Sequence, residues 1–304
     1  MQRRVDEPPR LRNSEYFAPG ARCGFFVHRL SERLPPHWHD FFELELVVGG
    51  NGTHVLNGTH FELRPGTLFL LTPADIHEIE PVPGGAIDLY NVIFTESFIR
   101  DAVYDLVFGG EEQEALVYDW PDSEERELID GEFRFIRREM KQLVDGGELL
   151  VQGAVERILV LLSRMPSRGG DNRRRESRAA GELSAEREVA PATDSARPTP
   201  VPANIRRAIT FIHHHFRTAI TLGSVAERAG LSPTYFSESF HRYTGRSFQR
   251  YLQSVRLSFA VKLLRSTDMT ITEVCHASGF NSLSHFERAF RRQIGASPRE
   301  YRQS

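Results

Sequence analysis

The sequence predicts a multidomain α+β chain. A small N-terminal β-barrel or sandwich comes first, then a helical hairpin, a linker, and an all-α C-terminal domain. Three observations predict this order. Residues 22–94 are short β-rich segments broken by Gly, Asn and Pro turns. Residues 95–165 change to a helical period, and so does everything after residue 203. The charge divides with the pattern: from residue 201 onward there are 15 Lys and Arg against 6 Asp and Glu, net +9, which leaves 23 against 35, net −12, before it. A chain of 304 residues suits about two domains at ~100–200 residues each.

The strand candidates run in order. They are Cys23–Val27, Phe42–Val48, Thr53–Leu56, Thr67–Leu71 and Ala86–Phe94, separated by Gly49-Gly50-Asn51-Gly52, Asn57-Gly58, Arg64-Pro65-Gly66 and Pro81–Gly85. Between 95 and 165, Leu128, Phe133, Ile136, Met140 and then Leu149, Val155, Ile158, Leu159 and Leu162 recur at helical spacing around Gly146-Gly147. This spacing predicts an antiparallel helical hairpin. Its apolar face would serve equally to pair two subunits or to cover the barrel. Residues 166–203 mix Pro, Gly, Ser and charge with almost nothing apolar, the composition of a disordered linker. From 204 to 304, six to seven amphipathic segments follow one another, with Thr221, Ser232, Thr270 and Ser282 placed as helix N-caps.

The C-terminal part repeats itself. Thr221–Ser232 followed by Pro233–Gly245 aligns with Thr270–Phe280 followed by Asn281–Gly295, so that Gly230 falls on Gly279, Phe240 on Phe290 and Gly245 on Gly295. Each copy has the form of a helix-turn-helix: a short helix, a glycine able to turn sharply, and a capped second helix. The inner face of that second helix carries Phe236 and Phe240, or Phe286, Ala289 and Phe290. The outer face carries Ser237, Glu238, His241 and Arg242, or Ser284, His285, Arg288, Arg291 and Arg292. Such a face offers donors and acceptors to base edges and cations to phosphates. Arg288 is the leading candidate for a base contact, to guanine. His213-His214-His215 reads as a solvated or DNA-flanking face rather than a metal tract, because consecutive helical residues diverge.

From Asn204 to Arg302 the segment resembles the C-terminal domain of AraC/XylS-type transcription regulators. The most specific part is Gly279-Phe280 followed by Ser284-x-Phe286-x-Arg288-x-Phe290-x5-Ala296-x-Pro298-x2-Tyr301-Arg302. The resemblance implies that a connecting helix holding Tyr251-Leu252, Arg256-Leu257, Ala260 and Leu263-Leu264 sets two recognition helices into major-groove turns ~34 Å apart. Two departures stand out. Cys275 replaces the usual alanine, and Glu238 stands where a basic or amide side chain often meets DNA.

The N-terminal region adds a second resemblance. In Pro36-His37-Trp38-His39-Asp40-Phe41-Phe42-Glu43, strand alternation puts His37, His39, Phe41 and Glu43 on one face. Thr72-Pro73-Ala74-Asp75-Ile76-His77 follows. Together these are similar to the two motifs of the cupin barrel, over most of residues 20–94, and such a barrel is the usual sensor of AraC-type regulators. The resemblance implies a cupin-like effector barrel at 15–94, a dimerisation or cover region at 95–165 and a DNA-binding domain at 204–304. His37, Trp38, His39, Phe41, Glu43 and His77 are the candidate effector-binding residues. In metal-binding cupins the counterparts of His37, His39, Glu43 and His77 hold one divalent ion. Three outcomes stay open here: a metal, a polar ligand without metal, or a structural network. Asp75 in place of glycine and the lack of a following asparagine depart from enzymatic cupins.

The expected function is therefore a sequence-specific transcription regulator, not an enzyme and with no required cofactor, controlled by a small molecule with a sugar favoured. The alternative is a metal-dependent cupin enzyme or metal sensor fused to a DNA-binding domain. Expected partners are double-stranded promoter DNA, the effector and a second copy in a homodimer, with RNA polymerase a further candidate. No stretch of ~18 apolar residues suggests a membrane span, no apolar run follows the basic start, and the two cysteines cannot form a disulfide framework. A cytoplasmic protein is the expectation.

Overall fold

The computed structural model describes residues 7–108, 115–119, 124–142, 144–165 and 202–303. The predicted linker at 166–203 lies outside them except for its last two residues. The described strands are β1 (Arg10–Leu11), β2 (Cys23–Leu30), β3 (Leu34–His39), β4 (Phe42–Gly49), β5 (Gly52–Leu56), β6 (Thr59–Leu63), β7 (Thr67–Leu71), β8 (His77–Pro81), β9 (Ile87–Phe94) and β10 (Leu116–Asp119). They form two five-stranded sheets, in the orders β1-β3-β8-β5-β6 and β10-β7-β4-β9-β2. The predicted barrel is present, and the helical region contains the strand β10, which pairs with β7. Leu116–Asp119 is too short for its period to be read against the helices around it.

Alternation assigns each face. On β4, Phe42, Leu44 and Leu46 point away from the barrel interior and share a core with Leu68, Leu70, Val92 and Phe94. That core is closed by α3 (Glu124–Gln142) and α4 (Gly147–Ser163), which supply Ile129, Phe133, Ile136, Val155, Ile158, Leu159 and Leu162. The hairpin therefore covers the second sheet, and the face that could have paired subunits is mostly spent on the barrel. Leu149 and Leu150 stay exposed at 71% and 52%, beyond the covered stripe. Glu43 and Glu45 point the other way, into the barrel, where Val47, Phe69, Leu71 and Leu89 are also buried.

One expectation is corrected. His37 to Glu43 do not lie on one strand. The chain bends at Asp40 and Phe41, so His37 and His39 belong to β3 in the first sheet and Glu43 to β4 in the second. The Asp40 carboxylate is held by Arg10 Nε at 2.7 Å on the outside of this corner. Because the two sheets face each other, the histidines and the glutamate still converge.

The C-terminal domain is helical. It comprises α5 (Ala203–His215), α6 (Leu222–Arg228), α7 (Pro233–Thr244), α8 (Phe248–Ser266), α9 (Ile271–Ala277), α10 (Leu283–Ile294) and α11 (Pro298–Gln303); two earlier helices, α1 (Asn13–Tyr16) and α2 (Asp101–Phe108), belong to the barrel region. All four predicted caps are made: Thr221, Ser232, Thr270 and Ser282 accept from the backbone N–H of Ser224, Tyr235, Glu273 and His285. Phe236, Phe240, Phe286, Ala289 and Phe290 are buried as expected, around the long central helix α8. Cys275 is fully buried, where its small side chain fits as an alanine would.

Candidate functional site

The barrel encloses a cavity of about 240 Å³. Its polar floor carries His37, Glu43, Glu45, His77 and Asn91, and its apolar walls include Tyr16, Phe26, Phe41, Leu89 and Ile93. The volume sits just below the ~300–1,000 Å³ usual for ligand pockets, which suits a small occupant. Among the residues lining it there is no Lys or Arg.

The floor is one connected network. His39 Nδ1–H donates to the Phe41 carbonyl at 2.7 Å, and its ring lies nearly parallel to that of Phe41, centroids 4.5 Å apart. His39 Nε2 then meets Glu43 Oε2 at 3.0 Å, either as the second N–H of an imidazolium or as a donor to a cation shared with the carboxylate. Asn91 Nδ2 donates to Glu43 Oε1. His77 Nε2 stands 4.0 Å from Glu43 Oε2, while His77 Nδ1 and His54 Nε2 share a proton at 3.1 Å. Behind them His54 Nδ1 lies 3.6 Å from Glu45 Oε1. Besides His39 Nε2, whose contact with Glu43 is an ion pair only when the ring is protonated, four atoms of this network, His77 Nε2, Asn91 Oδ1, Glu45 Oε1 and His54 Nδ1, are buried without a hydrogen-bond partner. Buried polar atoms are rarely left so.

Burial and neighbours divide the charge states. Burial pushes the Glu43 carboxyl up, but the His39 ring beside it and the facing His37 and His54 rings outweigh this and hold it below the usual carboxylate value. Glu45 goes the other way: burial, reinforced by the charge on Glu43, raises it well above that value. Burial also lowers His37, lowers His54 to about 3 and takes His77 well below its ordinary 6.5. At neutral pH the floor thus presents an ionised Glu43, neutral imidazoles at His54 and His77, and a Glu45 whose proton is held more tightly than in an ordinary carboxyl.

The residues expected at this site separate into three groups. His37, Phe41, Glu43 and His77 line the cavity, and His39 touches it through Glu43. Trp38 does not line it: alternation turns its ring outward, where it packs on Phe259 of α8 with centroids 5.2 Å apart, between the guanidinium groups of Arg10 and Arg217. Of the four expected metal ligands, the atoms of His39, Glu43 and His77 lie within 4.8 Å of one another, and His37 stands outside that set. Its Nδ1–H is engaged by the Pro35 carbonyl at 3.0 Å. Glu45, His54 and Asn91 were missed. A signal existed, since Glu45 shares the strand face of Glu43, and His54 is the inward residue of the Thr53–Leu56 segment. Asn91 faces Glu45 across the β4–β9 ladder, a register that no local pattern announces.

The second candidate surface lies on the helical domain. Gly230 and Gly279 take φ of 68° and 85° at the two sharp turns. At Gly279 a Cβ would also fall 2.8 Å from the Arg217 backbone, so the position is closed to larger residues twice over. On α10, Ser284, His285, Arg288, Arg291 and Arg292 are exposed on the side opposite the phenylalanines. Arg291 pairs loosely with Glu300, and Arg292 donates to Gln253 Oε1 at 2.8 Å. On α7, Glu238, His241 and Arg242 are exposed and Ser237 is half-buried. The α10 face is the more cationic of the two. Of the three consecutive histidines His215 is exposed, as a solvated face requires, whereas His213 and His214 are half-buried. His213 Nε2 meets the Tyr251 hydroxyl at 3.0 Å, and the His214 carbonyl accepts from Arg10 of the barrel.

Residues 19–112 match the family described as the AraC-like ligand binding domain, and residues 225–304 match the helix-turn-helix domain. The chain belongs to the AraC/XylS family of regulators. It is a DNA-binding transcription regulator with a ligand-binding domain. Similar relatives include the HTH-type transcriptional activator RhaS of Salmonella arizonae, 26% identical over 96% of each chain. RhaS of Escherichia fergusonii is 27% identical over 89% of this regulator and 88% of its own length. Among solved structures, the C-terminal domain of AraT from Geobacillus stearothermophilus is 35% identical over 34% of this chain and 88% of its own, with a TM-score of 0.34. ToxT from Vibrio cholerae is 12% identical over 93% of this chain and 98% of its own, with a TM-score of 0.36. No helix among the regulator's described residues is long and apolar enough to cross a membrane.

Proposed function

We propose that the barrel senses a small, uncharged, hydroxyl-rich molecule, a sugar, and that its occupancy controls sequence-specific binding of promoter DNA by a cytoplasmic homodimer. The observation that carries this reading is the chemistry of the cavity floor. An ionised Glu43 with no Lys or Arg in the lining repels carboxylate and phosphate ligands. Sugar hydroxyls both donate and accept, so they can satisfy His77 Nε2 and Asn91 Oδ1 together, which a purely apolar ligand cannot. Tyr16, Phe26 and Phe41 offer the flat walls on which sugar rings stack. The relatives named as RhaS are transcriptional activators, which favours activation, contact with RNA polymerase and a sensor rather than an enzyme. On the DNA side, α10 supplies the dominant contact, with Arg288 to guanine and Arg291 and Arg292 to phosphate. Ser284 and His285 complete that face. Ser237, Glu238, His241 and Arg242 of α7 read the second groove more weakly, because Glu238 repels phosphate.

Calorimetric titration of the full chain with neutral hexoses, deoxyhexoses and pentoses, beside a panel of aromatic and aliphatic acids, tests the sensor. Binding confined to neutral sugars and weakened by Asn91→Ala supports it; an acid as the tight ligand refutes it.

One observation favours a second reading. His39, Glu43 and His77 converge as a cation site would. The residues fit a divalent ion: the His39 Nδ1–H is tied to a carbonyl and His77 Nδ1 to His54, which leaves both Nε2 atoms free to donate. Imidazoles with one carboxylate suit Zn, Mn, Fe or Ni. An ion held there would polarise an oxygen of the effector, while Asn91 orients the second oxygen of Glu43. Metal analysis of untagged protein, wild type against His39→Ala, separates the readings: about one equivalent per chain, lost in the variant, establishes the metal.

A further inference from the structure

Two segments of the barrel face both the cavity and the DNA-binding domain. On β3, His37 and His39 turn inward while Trp38, between them, enters the core of the helical domain. At the start of β8, His77 turns inward while Ile76 and Ala74 enter that same core. Period-two alternation makes this two-sidedness unavoidable, so that neither face can shift alone.

The second segment carries an unusual backbone. Among the described residues, Asn57 (φ 51°) and Ala74 (φ 68°) are the non-glycine residues in the left-handed region. Asparagine visits this region readily, whereas alanine rarely does. The two positions sit beside each other and are over-determined by hydrogen bonds. Asn57 N donates to the Ile76 carbonyl at 2.7 Å, Ile76 N to Asn57 Oδ1 at 3.0 Å, and Asn57 Nδ2 to Asp75 Oδ1 at 2.9 Å. The backbone and hydroxyl of Thr72 donate to Asp75 Oδ2. On the outer side, Lys262 of α8 reaches Asp75 Oδ1 at 2.6 Å, and Gly58 lies so close to Arg265 that a Cβ would meet its carbonyl oxygen at 2.8 Å. On the inner side, Leu56 pairs with His77 across the β5–β8 ladder, and His54 bonds His77. Strained backbone held in place by its surroundings marks elements that can switch.

We propose that this platform of Asn57, Ala74, Asp75 and Trp38 couples the cavity to the helix that joins the two helix-turn-helix units. Occupancy at Glu43 and His77, and the seating of α8 on Asp75 and Trp38, bias one another. The proposal rests on the cavity being the effector site and names how that site is regulated. Both recognition faces are exposed while α8 is seated, so the seat acts through the placement of α8 rather than by covering the DNA-binding residues. The coupling is reciprocal by linkage: what unseats α8 must alter the cavity, with or without a ligand.

This reciprocity gives a test that needs no effector. The chain has two tryptophans, so Trp120→Phe leaves Trp38 as the only one and makes its emission a reporter of the seat. In that full-length background, Lys262→Met is compared with its parent, with the imidazole ¹⁵N resonances of His54 and His77 as the cavity reporter, assigned through His54→Gln and His77→Gln. Lys262 and Asn57 line no part of the cavity. The expected result is a red shift and stronger acrylamide quenching of Trp38, together with displaced His54 and His77 resonances. Asn57→Gly, which keeps the left-handed turn but deletes both side-chain bonds, produces the same pair of changes. Arg206→Met breaks the remote contact with Asp101 and Asp105 and leaves the His54 and His77 resonances in place. Three results overturn the proposal: Trp38 freely quenched in the parent, Trp38 released with both resonances unmoved, or Arg206→Met displacing them equally. If the sugar panel finds no ligand, the effector assignment falls, but the outcome of this test is unaffected.

Discussion

Replacing His54 with phenylalanine should flatten the acid side of the stability curve. His54 is fully buried, and its ring packs on Phe69 with centroids 4.1 Å apart, so an aromatic ring of similar size fits the space. Burial lowers it from 6.5 to about 3 in the folded protein. The unfolded chain therefore takes up this proton near pH 6.5 and the folded chain does not. The stabilisation is complete above pH 6.5 and is lost as pH falls towards 3, amounting in full to about 5 kcal/mol. Between pH 7 and pH 5 the loss is about 2 kcal/mol from this group. The same sign applies to His77, which remains in the variant. His54→Phe also removes the bond to His77 Nδ1, an offset of about 1–3 kcal/mol that is nearly independent of pH. The informative quantity is the slope. Urea unfolding of the full chain at pH 7, 6 and 5, followed by circular dichroism, should show the variant losing about 2 kcal/mol less than wild type over that span. Equal losses in the two proteins would mean that His54 is not held neutral in the barrel, and the charge assignment of the whole floor would fail with it.

Other outcomes follow from the same geometry. Glu45 is raised well above 4.5 by burial and the charge on Glu43, so its contribution is full below 4.5 and lost as pH rises through the raised value. Glu45→Gln should therefore gain stability relative to wild type as pH rises, measured by extending the same unfolding experiment to alkaline pH. Arg288→Ala should cost about 1–3 kcal/mol of specific DNA binding, read by fluorescence anisotropy, with discrimination lost at one base pair. Gly279→Ala should destabilise the helical domain by at least about 1–2 kcal/mol from the left-handed backbone alone, lowering its melting temperature. If Leu149 and Leu150 contribute to a homodimer, the double replacement by Glu should shift sedimentation towards monomer without loss of barrel stability.

The barrel and the helix-turn-helix pair were legible because both leave local marks. The short apolar run Thr67-Leu68-Phe69-Leu70-Leu71 corresponds to β7 residue for residue. The capping hydroxyls of Thr221, Ser232, Thr270 and Ser282 need only a backbone N–H three residues on. What could not be read depends on which elements meet. His54, Glu45 and Asn91 join the floor only because β5 and β8 in one sheet face β4 and β9 in the other.

By itself, then, the sequence determined the period of the longer segments, the sharp turns at Gly230 and Gly279, the caps, and the split of charge between two halves, since all of these follow from neighbours along the chain. Only the tertiary structure decided that Trp38 leaves the cavity for Phe259, that His39, Glu43 and His77 rather than all four expected ligands converge, and that Asp75 holds Lys262. Strand alternation allows a side chain two faces. Which face becomes a cavity and which becomes an interface is set by what packs against it, and that partner lies 187 residues away in the chain for Asp75 and 221 for Trp38 (259 − 38).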